Sequence, residues 1–175
     1  MSLHPVPWRS APELLGPSVR AALETLSWDD VQVAPIDPTD ADTAAFCARY
    51  DWPMDRSANC VVVAARRGEV TTLVACVVLA TTRTDVNGFV RRKVDARKAS
   101  FASMDDAVAQ SSMEYGGITP VGLPETWPVL VDAAVLEAGT VVVGSGIRGS
   151  KLVLPASRLA ELPRAEVCLG LASPG

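Results

Sequence analysis

The sequence predicts an α+β fold, in which one domain carries a mixed, partly barrel-like β-sheet with helices around it. Two β-branched apolar runs, residues 60–65 and 70–80, are separated by a short polar turn, which predicts a hairpin at the centre of the sheet. Helical patterns are interspersed among the strands without strict β-α-β alternation, which favours an α+β arrangement. The 175 residues are 49% hydrophobic, so the chain can bury a core as one domain.

The first third of the chain predicts two helices and one strand. Pro17 begins a segment whose apolar residues recur at helical spacing, as expected for a helix packed on the domain. Residues 31–36 predict a short strand, and Pro35 indicates that this strand lies at a sheet edge. Thr39 followed by Asp42 resembles a capping box, so a second helix is expected to begin there.

The middle of the chain predicts a buried strand followed by alternating helices and a short strand. The nearly continuous apolar run of residues 73–79 indicates that both faces of this strand are covered. Asp85 begins a helical pattern, and residues 98–102 predict a short strand. Ser103, followed by Asp106, is a second capping box, which places a helix directly before a glycine-rich segment.

The last third of the chain predicts two more helices and four further strands. One helix covers residues 133–138 and the other begins at Pro155, and the strands cover residues 127–131, 141–143, 151–154 and 165–169. The ends of the chain, residues 1–10 and 172–175, are expected to be loose. The single domain is therefore predicted to span residues 11–171.

Composition excludes several functional classes. No apolar run has the length of a membrane span, and the N-terminus lacks the apolar core of a signal peptide, so a cytoplasmic protein without a membrane partner is predicted. The four cysteines are scattered and there is one histidine, His4, so the sequence predicts neither a metal site nor a disulfide framework, and it indicates no cofactor. A net charge of −4 gives no overall attraction to nucleic acid, so a polyanionic partner would need a local basic patch.

Residues 113–124 form the segment with the most distinctive composition. Three glycines and two prolines lie between two apolar runs, which predicts a shaped loop. Such a loop can direct bare N–H groups at an anion or a carbonyl oxygen. The same composition is also typical of a tight turn between a helix and a strand.

The glycine-rich segment and two later segments resemble the YbaK/EbsC family, which includes freestanding Cys-tRNA(Pro) deacylases and the editing insertion of bacterial prolyl-tRNA synthetases. The resemblance lies in Tyr-Gly-Gly-Ile-Thr-Pro-Val-Gly at residues 115–122, Pro-Val-Leu-Val-Asp at 128–132 and Val-Gly-Ser-Gly at 143–146. Family members usually have serine where Thr119 stands, and threonine keeps its hydroxyl. The similarity extends over about residues 58–167 and implies the family's mixed sheet.

The resemblance implies a metal-independent hydrolase that removes a wrong amino acid from the 3′ end of tRNA. By analogy, Gly116 and Gly117 would hold the aminoacyl group or the attacking water, and Asp132 would lie at the mouth of the pocket. The implied substrate-binding residues are Asn59, Ile118, Thr119, Pro120, Gly144, Ser145, Gly146 and Arg148. The implied partners are tRNA and, by family association, an aminoacyl-tRNA synthetase.

The sequence departs from the family pattern at Asn59. Family members have a lysine that opens the strand before the hairpin, and an amide there brings no positive charge. A lysine from elsewhere, Lys151 above all, could reach the pocket and support catalysis. A pocket without any positive group would instead indicate a non-catalytic module that binds aminoacyl-tRNA or a nucleotide. A large exposed apolar patch in place of a pocket would indicate an interaction scaffold.

Several candidate residues have two interpretations. Asp132 could touch substrate or cap the helix that follows it. The basic residues Arg91, Arg92 and Lys93 could bind tRNA phosphates or form a solvated helix face. Arg148 could reach the pocket mouth or lie at a hairpin tip.

Overall fold

The structure, a computed structural model, describes residues 1–175 and contains a five-stranded sheet, a four-stranded sheet and a two-stranded ribbon. The strands are Val6–Pro7 (β1), Gln32–Pro35 (β2), Ala58–Arg67 (β3), Val70–Leu79 (β4), Thr82–Thr84 (β5), Lys98–Phe101 (β6), Val129–Asp132 (β7), Thr140–Gly144 (β8), Ser150–Pro155 (β9), Ala165–Cys168 (β10) and Ala172–Pro174 (β11). The α-helices are Pro17–Leu26 (α1), Thr43–Tyr50 (α2), Arg91–Lys93 (α3), Met104–Ser111 (α4) and Ala133–Leu136 (α5).

The five-stranded sheet has the order β10-β7-β4-β3-β6 and mixes parallel with antiparallel pairs. The predicted hairpin forms its centre: β3 and β4 pair over their full length and are joined by a two-residue turn, in which Gly68 has a φ of +62°. β6 pairs antiparallel with β3, whereas β7 and β10 add parallel strands on the other side. This mixed connectivity confirms the predicted α+β class.

The four-stranded sheet has the order β1-β2-β9-β8 and meets the larger sheet at one point. An isolated parallel bridge between Ser57 and Val142 links the start of β3 to β8. The two sheets are open and do not close into a barrel. The seam between them positions the candidate site.

The main hydrophobic core lies between the sheets and under α1. Val19 and Leu23 of α1 are fully buried in it, as their helical spacing predicts. A smaller core covers the other face of β4, where Val74 and Cys76 are fully buried. β4 is therefore covered on both faces from Leu73 onward, in agreement with its continuous apolar sequence.

The ends of the chain differ from the expectation of loose tails. Val6–Pro7 pairs with β2, and Trp8 is only 2% exposed, with its indole N–H donating to the carbonyl of Trp28 at 2.6 Å. At the other end, Ala172–Pro174 pairs with β5. A large aromatic side chain close to the N-terminus holds the first segment on the core, a long-range contact that local sequence does not reveal.

One helix start and two helix types also differ in detail. α2 is capped by Asp42, whose carboxylate accepts from the N–H groups of Ala44 and Ala45, and Thr39 instead lies in a short 3₁₀ turn. The segment after Pro155 is a 3₁₀ helix, Ala156–Glu161, and the segment after Asp85 is a π-helical turn, Val86–Val90, that runs into α3. None of the helices combines the length and the apolar character needed to cross a bilayer.

Candidate functional site

A cavity of about 360 Å³ lies at the seam between the two sheets. Its walls come from the start of α2, the first residues of β3, the ends of β8 and β9, and the glycine loop. The lining residues are Ala41, Asp42, Thr43, Phe46, Ser57, Ala58, Asn59, Cys60, Val61, Met104, Tyr115, Gly116, Ile118, Val142, Val143, Gly144, Arg148 and Lys151.

The cavity exists because the free edge of β3 is incompletely covered. β6 pairs with β3 only as far as Phe101, which lies opposite Val63. On the other side of the cavity, β8 touches β3 at the bridge between Ser57 and Val142. The stretch of β3 between these contacts has no strand beside it, and the cavity occupies that gap.

Main-chain groups of β3 face the gap. The N–H of Ala102 donates to the carbonyl of Val62 at 2.9 Å, so the peptide groups of Val62 point away from β4. Alternate residues in an antiparallel strand direct their peptide groups to the same edge, so those of Cys60 point away from β4 as well. The N–H and carbonyl of Cys60 are therefore available to a molecule in the cavity.

Lys151 brings a buried positive charge into the cavity. It lies on β9 opposite Gly144 and is 8% exposed. Its Nζ donates to the carbonyl of Ala41 at 3.0 Å and lies 5.6 Å from the centre of the Phe46 ring. Burial lowers the pKa of Lys151, and the nearby carboxylate of Asp42 opposes that shift. An ammonium has three donors, so Nζ retains donors for a ligand.

Asn59, the position at which the resemblance implies a lysine in family members, lies in the cavity wall. Its Oδ1 accepts a hydrogen bond from the hydroxyl of Thr43 at 2.7 Å. This contact holds the side chain against α2 and leaves the amide N–H groups as hydrogen-bond donors at the cavity. The site at this position is polar and neutral, and the positive charge comes from Lys151 instead.

Arg148 joins the glycine loop to the segment before α2. Its Nη1 donates to the carbonyl of Tyr115 at 2.9 Å and its Nη2 to the carbonyl of Pro38 at 3.0 Å. The guanidinium also lies 5.2 Å from the centre of the Tyr115 ring. Gly116, at a φ of +81°, has no Cβ, and a Cβ there would lie 2.6 Å from Nη1. The structure thus places Arg148 in the cavity wall and not at a free hairpin tip.

Gly117 serves the packing of two glycine turns against each other. A Cβ on Gly117 would lie 2.5 Å from the carbonyl oxygen of Ile147, and one on Gly144 would lie 2.6 Å from the carbonyl oxygen of Gly117. The carbonyl of Gly117 accepts from the N–H of Gly146 at 2.7 Å, and its own N–H donates to the carbonyl of Glu114 at 2.9 Å. Because its N–H already has a partner, Gly117 supports the loop and offers no free donor to the cavity.

Four of the predicted substrate-binding residues do not line the cavity. The hydroxyl of Ser145 bonds to Ser150, and Gly146 packs on α1. Thr119 is fully buried, with no hydrogen-bond partner for its hydroxyl, and Pro120 lines a separate cavity beside α1. These four residues therefore pack within or beside the two glycine turns and not along the cavity.

Asp132 also lies away from the cavity. It ends β7 opposite Cys168 of β10 and is 4% exposed. Burial raises the pKa of Asp132, and hydrogen bonds from the N–H groups of Ala172 and Leu171 oppose the shift. The structure therefore does not place this carboxylate at the pocket mouth, where the resemblance implied it. The reason is that β7 lies on the other side of β4 from β3 and the cavity.

The predicted tRNA-binding residues, Arg91, Arg92 and Lys93, form α3, a basic segment that precedes β6 in the chain. Lys93 forms an ion pair with Glu166, and the Nε of Arg91 donates to the carbonyl of Asn87 at 2.8 Å. Arg92 is exposed. None of these residues lines the cavity at the seam.

Sequence reasoning did not anticipate the contribution of α2 and Cys60 to the site. Ala41, just before α2, and Phe46, within it, hold Lys151, and the capping pattern at this helix gave no sign of a role in the site. Cys60 lines the cavity, and burial raises the pKa of its thiol, which disfavours the nucleophilic thiolate. No group of three or more His, Cys, Asp or Glu side chains is arranged to hold a metal ion.

The fold and the site together define a small α+β domain with a cavity between two sheets, next to a buried cation. Residues 37–162 match the model of the aminoacyl-tRNA editing domain family. This match covers well over half of the 175 residues, and the chain belongs to that family. The resemblance to YbaK/EbsC proteins noted in the sequence is thereby confirmed.

Solved structures with the same fold share little sequence with this chain. A hypothetical protein has 18% identity and a TM-score of 0.78, covering 89% of this chain and 99% of its own. A candidate trans-editing enzyme for prolyl-tRNA synthetase has 20% identity and a TM-score of 0.76, covering 92% of this chain and 99% of its own. A scaffold protein used in computational epitope grafting has 21% identity and a TM-score of 0.75, covering 92% and 100%.

Proposed function

We propose that this protein is an aminoacyl-tRNA deacylase, which hydrolyses the ester between a wrong amino acid and the 3′ end of a tRNA without a metal ion. The observation that carries the proposal is Lys151, a buried lysine in the seam cavity of an editing-family domain that has asparagine, not lysine, at position 59. In this proposal Lys151 supplies, from β9, the positive charge that relatives supply from the start of β3.

The proposed role of Lys151 is to stabilise negative charge on the ester carbonyl oxygen. Water attacks the carbonyl carbon, the bond to the ribose oxygen breaks, and the products are a free amino acid and a tRNA with a free hydroxyl. A cation held in a partly water-excluded cavity stabilises the transition state more than the ground state. Removing one such donor from an enzyme typically costs about 10²–10³ in rate.

The other groups of the cavity are proposed to position the substrate. The N–H groups of the Asn59 amide and the free peptide groups of Cys60 can hydrogen bond to the aminoacyl group. Arg148 and Gly116 form the wall nearest the loop, where a hydroxyl of the terminal ribose could hold the attacking water. Asp132 and Gly117 have no part in this mechanism because neither lines the cavity.

The proposal implies tRNA as the partner and the cytoplasm, where translation takes place, as the location. One structural relative is described as a candidate trans-editing enzyme for prolyl-tRNA synthetase. Action in trans on tRNAs charged by a synthetase is therefore included in the proposal.

The test is a deacylation assay over a panel of mischarged tRNAs, comparing the wild-type protein with Lys151→Met. Methionine keeps the length and apolar stem of lysine but removes the charge. We expect wild-type hydrolysis of at least one substrate and a loss of about 10²-fold in Lys151→Met. Arg20→Met serves as the control, because Arg20 lies on the exposed face of α1 in an ion pair with Glu24. Equal rates for wild type and Lys151→Met would overturn the role of this lysine.

A non-catalytic binding module is the second candidate function. The observation that favours it is the neutral Asn59 at the position of the family lysine, together with the hydrogen bond that ties Lys151 to Ala41. In that case no tRNA in the panel would be deacylated, while charged tRNA would bind more tightly than uncharged tRNA. Filter binding of both forms separates the two functions.

A further inference from the structure

A basic groove runs along the outer edge of the five-stranded sheet. It is formed by β6 and the segment around α3, and its lining residues are Asn87, Arg91, Arg97, Lys98, Ala99 and Ser100. Every charged side chain in this lining is positive, although the chain as a whole carries a net charge of −4. A local concentration of positive charge on an acidic protein is the pattern expected for a phosphate-binding surface.

The cations in and around the groove differ in whether a carboxylate already pairs with them. Arg97 and Lys98 are exposed and take part in none of the ion pairs. Arg91, the third cation of the lining, is also outside the ion pairs, and its Nε donates to the carbonyl of Asn87. Lys93 and Arg67, which do not line the groove, are held by Glu166 and Asp95. The groove therefore presents Arg97 and Lys98, with Arg91 beside them, as cations that are free to bind an anion.

Two exposed apolar side chains follow the groove residues in the chain, and the second of them lines the cavity at the seam. Phe101, the last residue of β6, is 67% exposed, and Met104 is 47% exposed and lines the cavity. A phenylalanine exposed to this extent gains little from the core of its own protein. Aromatic side chains beside basic grooves are the stacking platforms of proteins that bind single-stranded nucleic acid.

The register of β6 on β3 gives the spacing of these features. Phe101 lies opposite Val63 and Lys98 lies opposite Arg66, whereas the cavity opens at Cys60. At about 3.3 Å per residue, Phe101 lies roughly 10 Å and Lys98 roughly 20 Å from Cys60 along the strand. Stacked nucleotides advance about 3.4 Å each along one strand, so the groove is roughly six nucleotides from the cavity.

We propose that the β6 edge binds the 3′-terminal strand of tRNA, an inference that rests on the proposed deacylase function. Phe101 stacks on an unpaired base close to the aminoacylated end. Arg97, on the same side of β6 as Phe101, and Lys98, on the other side, contact phosphates farther along the exposed strand edge, with Arg91 beside them, where the acceptor stem begins. This assignment moves tRNA binding from the run Arg91, Arg92 and Lys93 to the groove next to it.

The test of the phosphate contacts measures the binding of uncharged tRNA over a series of salt concentrations. We expect the double variant Arg97→Ala with Lys98→Ala to bind more weakly and to reduce the slope of log affinity against log salt by about 1.4–1.8, which corresponds to two lost phosphate contacts. The charge-matched control is Arg9→Ala with Arg20→Ala, two exposed arginines that do not line the groove. An equal slope change in both double variants, or none in the first, would overturn the assignment.

The test of stacking uses Phe101→Ala. We expect tRNA binding to weaken by on the order of tenfold, with an unchanged salt slope, since a base and not a phosphate loses its partner. Leu169→Ala is the matched control, because Leu169 is 85% exposed on the far side of the sheet. Both positions are exposed, so circular dichroism should show that both variants are folded. Equal affinity of Phe101→Ala and wild type would exclude the stacking contact.

The same variants separate this inference from the proposed function. If the wild type deacylates tRNA and the groove variants have the same Michaelis constant as the wild type, the β6 surface is refuted and the proposed deacylase function stands. Specific binding of uncharged tRNA that depends on Arg97, Lys98 and Phe101, without any deacylation, would support the surface and refute the deacylase.

Discussion

Single residues in this protein have roles that depend on a few contacts each. Lys151 is the clearest case, because one hydrogen bond to Ala41 and a face of the Phe46 ring hold its ammonium inside the cavity. A buried ammonium loses hydration, so its charged form is disfavoured relative to water. The lysine that supplies the charge in the proposed mechanism therefore also lowers the stability of the folded state.

The pH dependence of stability follows from this burial. Burial lowers the pKa of Lys151 from the ordinary value of 10.5, while the unfolded chain keeps that ordinary value. Between the two pKa values the unfolded state binds more protons, so the free energy of unfolding rises with pH through that window. We expect wild type to gain stability on the alkaline side and Lys151→Met to lack this gain.

Urea unfolding at several pH values up to about 10.4 measures this difference. Other groups that titrate contribute equally to both proteins, so the difference between the two curves isolates Lys151. Parallel curves for wild type and Lys151→Met would show that the lysine titrates as it does in the unfolded chain.

Among the elements, α2 has the most influence on the site although it is only eight residues long. The residue before its N-cap, Ala41, accepts the hydrogen bond of Lys151, and its first residue, Thr43, holds Asn59. The position of both polar groups therefore depends on where this helix begins. Asp42 fixes that start by accepting from two N–H groups of the first turn.

Loss of the α2 cap should affect both stability and activity. We expect Asp42→Ala to reduce the free energy of unfolding by about 1 kcal/mol, the usual cost of an N-cap. Deacylation should fall as well, because the first turn of α2 carries the partners of Lys151 and Asn59. Chemical denaturation and the deacylation assay measure the two effects.

Thr39→Ala is the informative control for this prediction. The sequence pattern suggested Thr39 as the cap, whereas the structure places it in the preceding turn, bonded to Asp37. We expect Thr39→Ala to change both readouts less than Asp42→Ala does. A larger effect of Thr39→Ala than of Asp42→Ala would instead support Thr39 as the cap, as the sequence suggested.

At the scale of the whole molecule, the N-terminal segment completes the four-stranded sheet. β1 covers the edge of β2, and Trp8 fills the core between α1 and the strand that follows it. Its indole N–H has a partner in the carbonyl of Trp28, so the side chain is buried without an unsatisfied donor. The segment thus behaves as part of the domain.

Replacement of Trp8 tests this integration. We expect Trp8→Ala to reduce the free energy of unfolding by about 3–5 kcal/mol, as for other large aromatic side chains removed from a core. Val6→Ala, at a position that is 37% exposed, should cost far less. Urea denaturation of the two variants checks the prediction, and similar midpoints would mean that the N-terminal segment contributes little to the fold.

The sequence by itself determined the local elements and the family. The β3–β4 hairpin follows from two β-branched runs around a turn with glycine, and the helix caps at Asp85 and Ser103 follow from local polar patterns. These features depend on residues close together in the chain, where hydrogen bonding and side-chain alternation leave few alternatives. The glycine-loop motif likewise led to the editing-domain family that the match over residues 37–162 confirms.

The tertiary structure decided which of the candidate residues meet in the site. The motif suggested Gly117 and Asp132 as site residues. Gly117, however, packs against Ile147, and Asp132 lies on β7, on the other side of β4 from the cavity. Lys151 reaches Ala41 and Phe46 only because β9 pairs between β2 and β8. Both faces of β9 are buried, so side-chain alternation alone cannot tell which face meets the cavity. Strand order and the gap beside β3 are set by long-range packing, and these decide the chemistry of the cavity.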